Sequence, residues 1–338
     1  MTILVTGGLG YIGSHTVVEL LQNNFEVVII DDLSNTEKFI LKNIEEITGK
    51  KPIFYPFDLK RKELLKQVFD AHQIEGCIHF AAYKAVGESQ VKPIDYYENN
   101  LFSLINLLQE MKERNISNFI FSSSCTVYGQ ADKMPIDEET PLKLPESSYG
   151  KTKQMGEEIL KDFATAHQKK VTLLRYFNPI GAHPSAKLGE LPIGIPNNLV
   201  PYVMQTAAGV REKLSVWGND YETEDGTAIR DYIYVVDLAK AHVKALQKLI
   251  SENSETLVDI YNLGTGKGSS VLEVVHAFEK ANDVAVPYQI CERRAGDITI
   301  AYANADKAEK ELGWKSETSL EEALRTVWQW QKYLETRS

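Results

Sequence analysis

Tyr149 and Lys153 stand four residues apart in a segment with a helical pattern, so one helical turn would bring the two side chains together. A free phenol titrates at about 10, too high for a base at neutral pH, but a neighbouring ammonium group favours the phenolate. Ser124 ends an apolar run and adds a hydroxyl that could share a substrate's hydrogen bond. The three residues could together remove a proton from an alcohol, although an exposed helix pair would show the same spacing.

Gly7, Gly10 and Gly13 form a glycine-rich turn between the first apolar run and the first helical segment. Glycines there let the backbone turn tightly and approach a pyrophosphate, which the helix N-terminus attracts. Asp31 ends the second apolar run, where an acid accepts hydrogen bonds from ribose hydroxyls and repels a 2′-phosphate. Asp58 ends the third run and is a candidate adenine contact. Glycines alone could mark an ordinary turn, but with Asp31 they predict an NAD site, whose nicotinamide cation would further favour a nearby phenolate.

Short apolar runs that alternate with helical segments must position these residues. The runs lie at 3–5, 27–30, 53–57, 77–80, 119–121 and 171–176. Unbroken β-branched and aromatic strands separated by helices are typical of a parallel sheet covered on both faces. The sequence therefore predicts an α/β fold with a doubly wound parallel (Rossmann) sheet.

The second half of the chain has a different texture. Residues 178–235 are rich in Pro, Gly and Asn, which indicates loops at the mouth of a cleft. A helix over 236–250 and a strand over 259–263 are predicted to return to the first sheet. We therefore predict an NAD-binding domain over 1–177 with a returning segment at about 236–263. The smaller mixed α/β substrate domain would comprise 178–235 and 264–338.

Composition narrows the class of protein. The 338 residues carry 37 Lys and Arg against 47 Asp and Glu, a formal net charge of −10. An acidic chain without a dense basic stripe argues against binding to nucleic acid. Cys77, Cys125 and Cys291 are too few and too scattered for a disulfide framework or a zinc site. Free thiols, no cationic leader and no apolar run of about 20 residues predict a cytoplasmic protein that is not inserted in a membrane.

Histidines give no sign of a metal centre. His79, His183 and His242 lack the spacing of metal ligands, so we predict structural roles for them and no bound metal.

The glycine turn, Ser124 and the Tyr149–Lys153 pair together resemble the extended short-chain dehydrogenase/reductase family. Within the family, the similarity is strongest to enzymes that epimerise UDP-hexoses at C4, and it runs from residue 1 to about 330. The stretches that carry it are GYIGSH at 10–15, SSSCTVYG at 122–129, RYFNP at 175–179, GIPNNL at 194–199, GNDY at 218–221, DGT at 225–227 and RDY at 230–232.

This resemblance implies reversible interconversion of UDP-glucose and UDP-galactose with NAD as a recycled cofactor. Tyr149 would take the C4 hydroxyl proton while hydride leaves the sugar, and the 4-keto sugar would turn about its link to the diphosphate before both return. Lys153 would bind the nicotinamide ribose and tune Tyr149, and Ser124 would steady the C4 oxygen.

The resemblance also implies the remaining site residues, with the second domain binding the UDP-sugar. On the cofactor side they are Gly7, Gly10, Tyr11, Ile12, Gly13, Asp31, Asp32 (where the family carries Asn), Asn35, Asp58, Leu59, Phe80, Ala81, Lys84, Asn99, Ser122, Tyr149, Lys153, Tyr176 and Phe177. On the substrate side they are Lys84, Ser124, Tyr149, Phe177, Asn178, Asn198, Leu199, Val216, Trp217, Arg230, Arg294, Asp297 and Ala301. Val216 and Trp217 would meet the uracil and Asp297 the uridine ribose. Arg230 and Arg294 would hold the two phosphates, since guanidinium groups form charge-assisted bidentate contacts.

Two other functions use similar residues. A sugar-nucleotide 4,6-dehydratase begins with the same oxidation at C4, but such relatives carry Asp-Glu directly after the position of Ser124. This chain has Cys125 and Thr126, neither of which can act as a carboxylic acid. A non-catalytic nucleotide-sensing protein on the same fold typically loses the Tyr/Lys pair, which is intact here.

Two further features bear on substrate breadth and assembly. Ala301 occupies a position at which a Tyr would resemble enzymes limited to UDP-glucose and UDP-galactose. Its small side chain therefore predicts activity on the N-acetylated UDP-sugars too. The alternative is that Tyr302 points into the sugar pocket and fills the space. A helical stripe of Ile94, Tyr97, Leu101, Leu104, Leu108 and Met111 could simply cover the sheet. Relatives pair such helices across a two-fold axis, so we predict a homodimer.

Overall fold

A seven-stranded parallel sheet forms the centre of the protein, with the strand order β11-β6-β5-β4-β1-β2-β3. The computed structural model describes residues 1–251, 256–294 and 297–337. The strands are β1 (Thr2–Thr6), β2 (Glu26–Ile30), β3 (Ile53–Tyr55), β4 (Ile74–His79), β5 (Asn118–Ser124), β6 (Lys170–Tyr176), β7 (Asn178–Ile180), β8 (Leu214–Trp217), β9 (Ile229–Arg230), β10 (Tyr232–Tyr234), β11 (Val258–Leu263), β12 (Ser269–Ser270), β13 (Tyr288–Cys291) and β14 (Ile300–Ala301). This confirms the predicted α/β class and the doubly wound parallel sheet.

Helices cover both faces of that sheet. They are α1 (Tyr11–Gln22), α2 (Phe39–Thr48), α3 (Lys62–Ala71), α4 (Val86–Val91), α5 (Pro93–Tyr97), α6 (Ser103–Glu113), α7 (Ser148–His167), α8 (Leu199–Ala207), α9 (Val235–Ser251), α10 (Val271–Asn282), α11 (Asp306–Leu312) and α12 (Leu320–Glu335). A π-helical turn spans Glu98–Phe102 and a 3₁₀ turn spans Cys125–Tyr128.

Alternation along the strands divides the core into two layers, since successive strand residues face opposite sides of a sheet. In β1, Ile3 and Val5 belong to the core cluster that contains residues of α1 and α9, whereas Leu4 belongs to the cluster with residues of α3, α6 and α7. Both faces are therefore apolar, which explains why the strands are unbroken apolar runs rather than alternating ones.

The chain returns to this sheet late in the sequence. Strand β11 pairs in parallel with β6, with Val258 opposite Val171, and α9 packs against α1. The helix and strand predicted over 236–250 and 259–263 are thus present and join the first sheet. The division into domains at residue 177 stays a prediction.

Short strands outside the central sheet carry five of the predicted substrate residues: Asn178, Val216, Trp217, Arg230 and Ala301. Strand β8 pairs with β13, β7 with β10, and β9 lies between β12 and β14. In the sheet formed by β12, β9 and β14, Ala301 lies opposite Arg230. The fully buried carboxylate of Asp231 accepts hydrogen bonds from the backbone N–H groups of Thr265 and Ala303, which fastens this small sheet to the loop after β11.

The predicted stripe at 94–111 differs from one continuous helix. Leu104, Leu108 and Met111 are buried against the sheet in α6, whereas Ile94 in α5 is 71% exposed, and the π-helical turn lies between them. The extra residue of a π turn rotates the two halves relative to each other, so one stripe cannot face the sheet throughout.

Within the described residues, we find no helix that is both long enough and apolar enough to span a bilayer.

Candidate active site

The glycine-rich turn brings the end of β1 close to the end of β4. Gly7 has φ +67°, and a Cβ atom there would lie 2.8 Å from the Ala81 nitrogen. A Cβ atom on Gly13 would lie 2.1 Å from the Gly7 carbonyl oxygen, so this turn closes only with glycine at both positions. Helix α1 begins directly after Gly10, which places its N-terminus at the turn.

Asp31 lies beside that turn. One of its carboxylate oxygens accepts a hydrogen bond from the Leu9 N–H at 3.0 Å and the other from the Leu33 N–H at 2.9 Å. Burial raises the pKa of Asp31, while these backbone hydrogen bonds oppose the rise. The tight turn, the helix N-terminus and the adjacent acid fit the pyrophosphate and ribose of a dinucleotide.

Other predicted cofactor residues end neighbouring strands at the same edge of the sheet. Phe80 and Ala81 follow β4 directly, and Asp58 follows β3, where it accepts a hydrogen bond from the Lys60 N–H at 2.8 Å. Asp32 is exposed and accepts the hydroxyl of Ser34 at 2.6 Å. The carboxyl ends of parallel strands meet at one edge, which is why these residues converge.

Four more cofactor candidates differ in their exposure. Leu59 and Asn99 are buried, and the side-chain amide of Asn99 donates to Asn100 at 3.1 Å. The Tyr11 hydroxyl donates to the Gly181 carbonyl at 2.7 Å, and Asn35 is exposed in the loop after β2.

The proposed catalytic pair lies on the first turns of α7. The hydroxyl of Ser147 accepts the Gly150 N–H at 3.1 Å, and this cap fixes where the helix begins. The Lys153 ammonium group donates to the Ser122 carbonyl at 2.6 Å and lies 5.9 Å from the centre of the Tyr149 ring. Lysine and phenol therefore lie on the same side of the helix, as their spacing predicts.

Ser124 ends β5 and faces this pair. Its hydroxyl lowers the pKa of Tyr149, and it accepts the Thr126 N–H at 3.2 Å and the Thr126 hydroxyl at 3.1 Å. Sequence reasoning did not assign Thr126 this orienting contact, because only the 3₁₀ turn after β5 folds residue 126 back onto Ser124.

The charge balance of the pair differs from the prediction. Burial raises the pKa of Tyr149 to about 12, and the hydrogen bond from Ser124 only partly offsets the rise. Burial also lowers the pKa of Lys153 to about 7, against the attraction of Glu157. The predicted lowering of the phenol pKa is therefore not produced by the chain's own groups, since desolvation outweighs the effect of the Ser124 hydroxyl. Lowering of this pKa by a cationic nicotinamide stays a prediction.

Tyr176 and Phe177 follow one another at the end of β6 but have different surroundings. The Tyr176 hydroxyl is hydrogen-bonded to the Ser122 hydroxyl, beside the Lys153 contact. Phe177 packs in a small core cluster with Val127 and Tyr128. Contact of either ring with a ligand stays a prediction.

Glu190 links a predicted cofactor residue to a predicted substrate residue. One of its carboxylate oxygens accepts the Lys84 ammonium group at 2.8 Å and the Asn198 amide at 2.8 Å. Nothing in the sequence singles out Glu190, because it lies in a loop without periodicity, and only the fold brings the three residues together.

Arg230 and Arg294 converge on one carboxylate. The Arg294 guanidinium donates to Asp297 at 3.0 and 3.2 Å, and an Arg230 nitrogen lies 3.5 Å from the same carboxylate. Tyr221 and Tyr232 are buried, and the charges of these three residues act on the pKa of both phenols. Sequence reasoning did not assign either tyrosine to the site. The two guanidinium groups therefore lie near each other, and their contact with a diphosphate stays a prediction.

Val216 and Trp217 have different surroundings. Val216 is completely buried in the main core cluster, whereas the next residue, Trp217, is 42% exposed, and contact of either residue with uracil stays a prediction. Alternation along β8 explains the difference, because only one of two neighbouring strand residues faces outward.

The remaining substrate candidates lie on several elements. Asn178 begins β7 and donates its N–H to the Asp231 carbonyl at 2.9 Å, and Leu199 begins α8. Ala301 is buried at the end of β14. The ring of Tyr302 lies beside Gly268, where a Cβ atom would be 3.5 Å from it.

The three histidines have structural partners. His79 shares a 2.7 Å hydrogen bond with the Thr6 hydroxyl, His183 with the Ser185 hydroxyl at 2.8 Å, and His242 with the Leu238 carbonyl at 2.8 Å. Across the part of the chain that the structure describes, no three His, Cys, Asp or Glu side chains are grouped so as to hold a metal ion.

Known proteins resemble this chain over nearly its whole length. A family model described as GDP-mannose 4,6 dehydratase matches residues 4–327. A UDP-glucose 4-epimerase from Bacillus subtilis is 53% identical over 332 residues, which cover 98% of this chain and 97% of the relative.

Solved structures agree in fold. The UDP-glucose 4-epimerase from Bifidobacterium longum, solved with NAD⁺ and UDP, has a TM-score of 0.95 and 48% identity, with 98% of each chain covered. The enzyme from Stenotrophomonas maltophila, solved with NAD and formylated UDP-arabinopyranose, has a TM-score of 0.96 and 44% identity, with 100% of each chain covered.

A glycine-rich dinucleotide turn and a Tyr/Lys/Ser group at one edge of a parallel sheet define an NAD-dependent enzyme of the extended short-chain dehydrogenase/reductase class. The relatives narrow the class further. The chain belongs to the UDP-glucose 4-epimerase family.

Proposed function

We propose that this chain interconverts UDP-glucose and UDP-galactose by inverting C4 through a transient 4-keto sugar, with tightly bound NAD. The observation that carries the proposal is the meeting of two groups of side chains. Ser124 lies opposite Tyr176 in the central sheet, and Asn178, two residues further on, donates its N–H at 2.9 Å to the carbonyl of Asp231, the neighbour of Arg230. The proton-transfer group and the diphosphate group therefore belong to one site.

Each catalytic side chain has a separate task. Bound NAD supplies a reversible acceptor for the C4 hydride. Tyr149 takes the C4 hydroxyl proton and gives it back, and Ser124 orients both the phenol and the C4 oxygen. Lys153 places a positive charge beside Tyr149, which favours the phenolate. Gly7, with its left-handed backbone, keeps the turn open to the pyrophosphate.

The diphosphate anchor explains how one site can serve both faces of the sugar. Arg230 and Arg294 already share Asp297, so their guanidinium groups are held near each other before a ligand binds. Charge-assisted contacts to the phosphates would fix that end of the molecule while the sugar turns about its link. Trp217 is exposed and offers a flat ring for the uracil.

Incubation of the purified protein with UDP-galactose tests the proposal. We expect UDP-glucose to form without net consumption of NAD, because the hydride returns to the sugar. A failure to convert UDP-galactose with NAD supplied would contradict the proposal. A 4-keto-6-deoxy product would indicate a 4,6-dehydratase instead. Dehydratase relatives carry two carboxylic acids at the positions where this chain has Cys125 and Thr126.

We further propose that the enzyme interconverts UDP-N-acetylglucosamine and UDP-N-acetylgalactosamine. Ala301 lies opposite Arg230 in the small sheet, so a side chain at this position is close to the diphosphate residues. Tyr302 is the next residue, and its ring lies beside Gly268, so we infer that it does not take the place of a tyrosine ring at position 301. A methyl group leaves room for an acetamido substituent, which a larger side chain would exclude.

We propose that the protein acts as a homodimer in the cytoplasm. Ile94 in α5, Phe102 in the π-helical turn and Met155 in α7 are exposed large apolar side chains on neighbouring elements. Such a group favours burial against a second copy. A monomer in light scattering at micromolar concentration would contradict this proposal.

The proposed division of labour follows the predicted domains. Residues 1–177 with 236–263 would bind NAD, and residues 178–235 with 264–338 would bind the UDP-sugar.

A further inference from the structure

A buried ion pair lies behind the Tyr149–Lys153 pair. Glu157 is 0% exposed and Arg175 is 2% exposed. The Arg175 Nε donates to one Glu157 oxygen at 2.9 Å and an Nη donates to the other at 2.5 Å, so the pair is bidentate. Glu157 is one helical turn beyond Lys153, on the same side of α7.

The pair completes a set of contacts between α7 and the end of β5. Two consecutive serines of β5 are hydrogen-bonded to different residues of the helix. The Ser122 carbonyl accepts Lys153 at 2.6 Å, and the Ser123 hydroxyl donates to Glu157 at 2.5 Å. The next serine, Ser124, lowers the pKa of Tyr149. The register of β5 against the catalytic face of α7 therefore depends on Glu157 as well as on Lys153.

Arg175 ties this register to two further elements. Its second Nη donates to the Tyr128 hydroxyl at 3.0 Å, and that hydroxyl donates to the Asn262 side chain at 2.7 Å. Tyr128 ends the 3₁₀ turn that orients Ser124, and Asn262 lies in β11. All of these side chains are buried, so the network is held without exchange with solvent.

Stability alone does not account for this arrangement. Burying two charges costs several kcal/mol per ion before the pair interacts, and well-packed apolar residues often replace such pairs without loss. The position of Glu157 gives it a second task, because it is the described carboxylate that acts on the charge of Lys153. The other groups that face Lys153 are Tyr149 on its own helix and His79 on β4; burial lowers the pKa of His79 to about 3, so it is neutral.

We propose that Glu157, held in place by Arg175, is a positioning residue that keeps Lys153 protonated and holds Ser124 and Tyr149 in register. This inference rests on the proposed epimerase function and on the roles proposed for Tyr149 and Lys153. Glu157 acts through these side chains and is not itself assigned a contact with substrate or cofactor.

Glu157→Gln tests the proposal because it keeps the shape and two acceptor contacts but removes the negative charge. Glu158→Gln is the matched control, since Glu158 is the next residue of α7, is exposed and pairs with Lys161. The holoenzyme is assayed with UDP-galactose for kcat and KM across pH, together with bound NAD and the unfolding temperature.

Loss of the carboxylate disfavours the ammonium form, so Lys153 should lose its proton at lower pH. We expect the alkaline limb of kcat to move toward acid by about one pH unit, which lowers activity on that limb by about tenfold. KM and bound NAD should change little. In Glu158→Gln the alkaline limb of kcat should stay at its wild-type pH.

A double variant, Glu157→Gln with Arg175→Met, removes both charges and guards against a misfolded single variant. The alkaline limb of kcat for the double variant should move in the same direction but by less than in Glu157→Gln, because the unpaired Arg175 charge is gone. An alkaline limb at the wild-type position in a folded variant would overturn the inference, even if the unfolding temperature falls. A wild-type protein that does not convert UDP-galactose would instead overturn the proposed function.

Discussion

Replacing Tyr149 by Phe removes the proposed proton acceptor and little else. The Tyr149 hydroxyl interacts with Ser124, and the ring keeps its place beside Lys153. Loss of one hydrogen-bonding group costs only about 0.5–1.5 kcal/mol of stability. The variant should therefore fold and bind NAD as the wild type does.

The expected loss of turnover is much larger. Proton transfer by a positioned side chain contributes typically 10²- to 10⁴-fold, so kcat should fall by about that factor. A thousandfold loss corresponds to about 4 kcal/mol in the activation barrier. Because the phenolate is the proposed proton acceptor, the wild-type rate should also rise with pH on the acid limb of the profile, below the pH at which Lys153 loses its proton. The variant should lack that rise.

The assay measures conversion of UDP-galactose across pH, together with bound NAD and the unfolding temperature. Tyr333→Phe is the control, since Tyr333 lies on α12 and its hydroxyl donates to Asn43 at 3.1 Å, away from the site. A Tyr149→Phe enzyme with kcat within about tenfold of wild type, below the range for general base catalysis, would refute the assignment.

Three further substitutions separate the other roles. Ala301→Tyr should abolish conversion of N-acetylated UDP-sugars and spare UDP-galactose; a wild type inactive on the N-acetylated sugars would contradict the open-pocket proposal. Arg230→Met should raise KM for UDP-galactose and weaken inhibition by UDP by about tenfold or more, because hydrogen bonds to charged groups contribute about 1.5–3 kcal/mol; an unchanged KM would remove Arg230 from the diphosphate site. Glu190→Gln should change the bound-NAD content and KM by only a few-fold, since Lys84 is partly exposed and such pairs contribute up to about 1 kcal/mol; a change beyond about a hundredfold would show a direct ligand contact.

The fold class and the dinucleotide turn could be predicted from the sequence because their signals are local. Apolar runs with helices between them require a sheet covered on both faces, and Gly7 and Gly13 are needed wherever the backbone closes so tightly. The Tyr149–Lys153 spacing also determines, within one helix, that both side chains face the same side.

Tertiary structure alone decided the environment of those side chains. The sequence predicted that Lys153 would lower the pKa of Tyr149, but burial of both groups has the opposite effect on the phenol. Val216 could be told from Trp217 only by the face of β8 that each occupies.

The same holds for residues that sequence reasoning missed. Thr126, Glu190 and the Glu157–Arg175 pair gain their partners from elements far apart in the chain or from an irregular turn. A residue's type and spacing determine which chemistry it could perform. The distance to its partners and the loss of water around it determine its charge, and these exist only once the chain has folded.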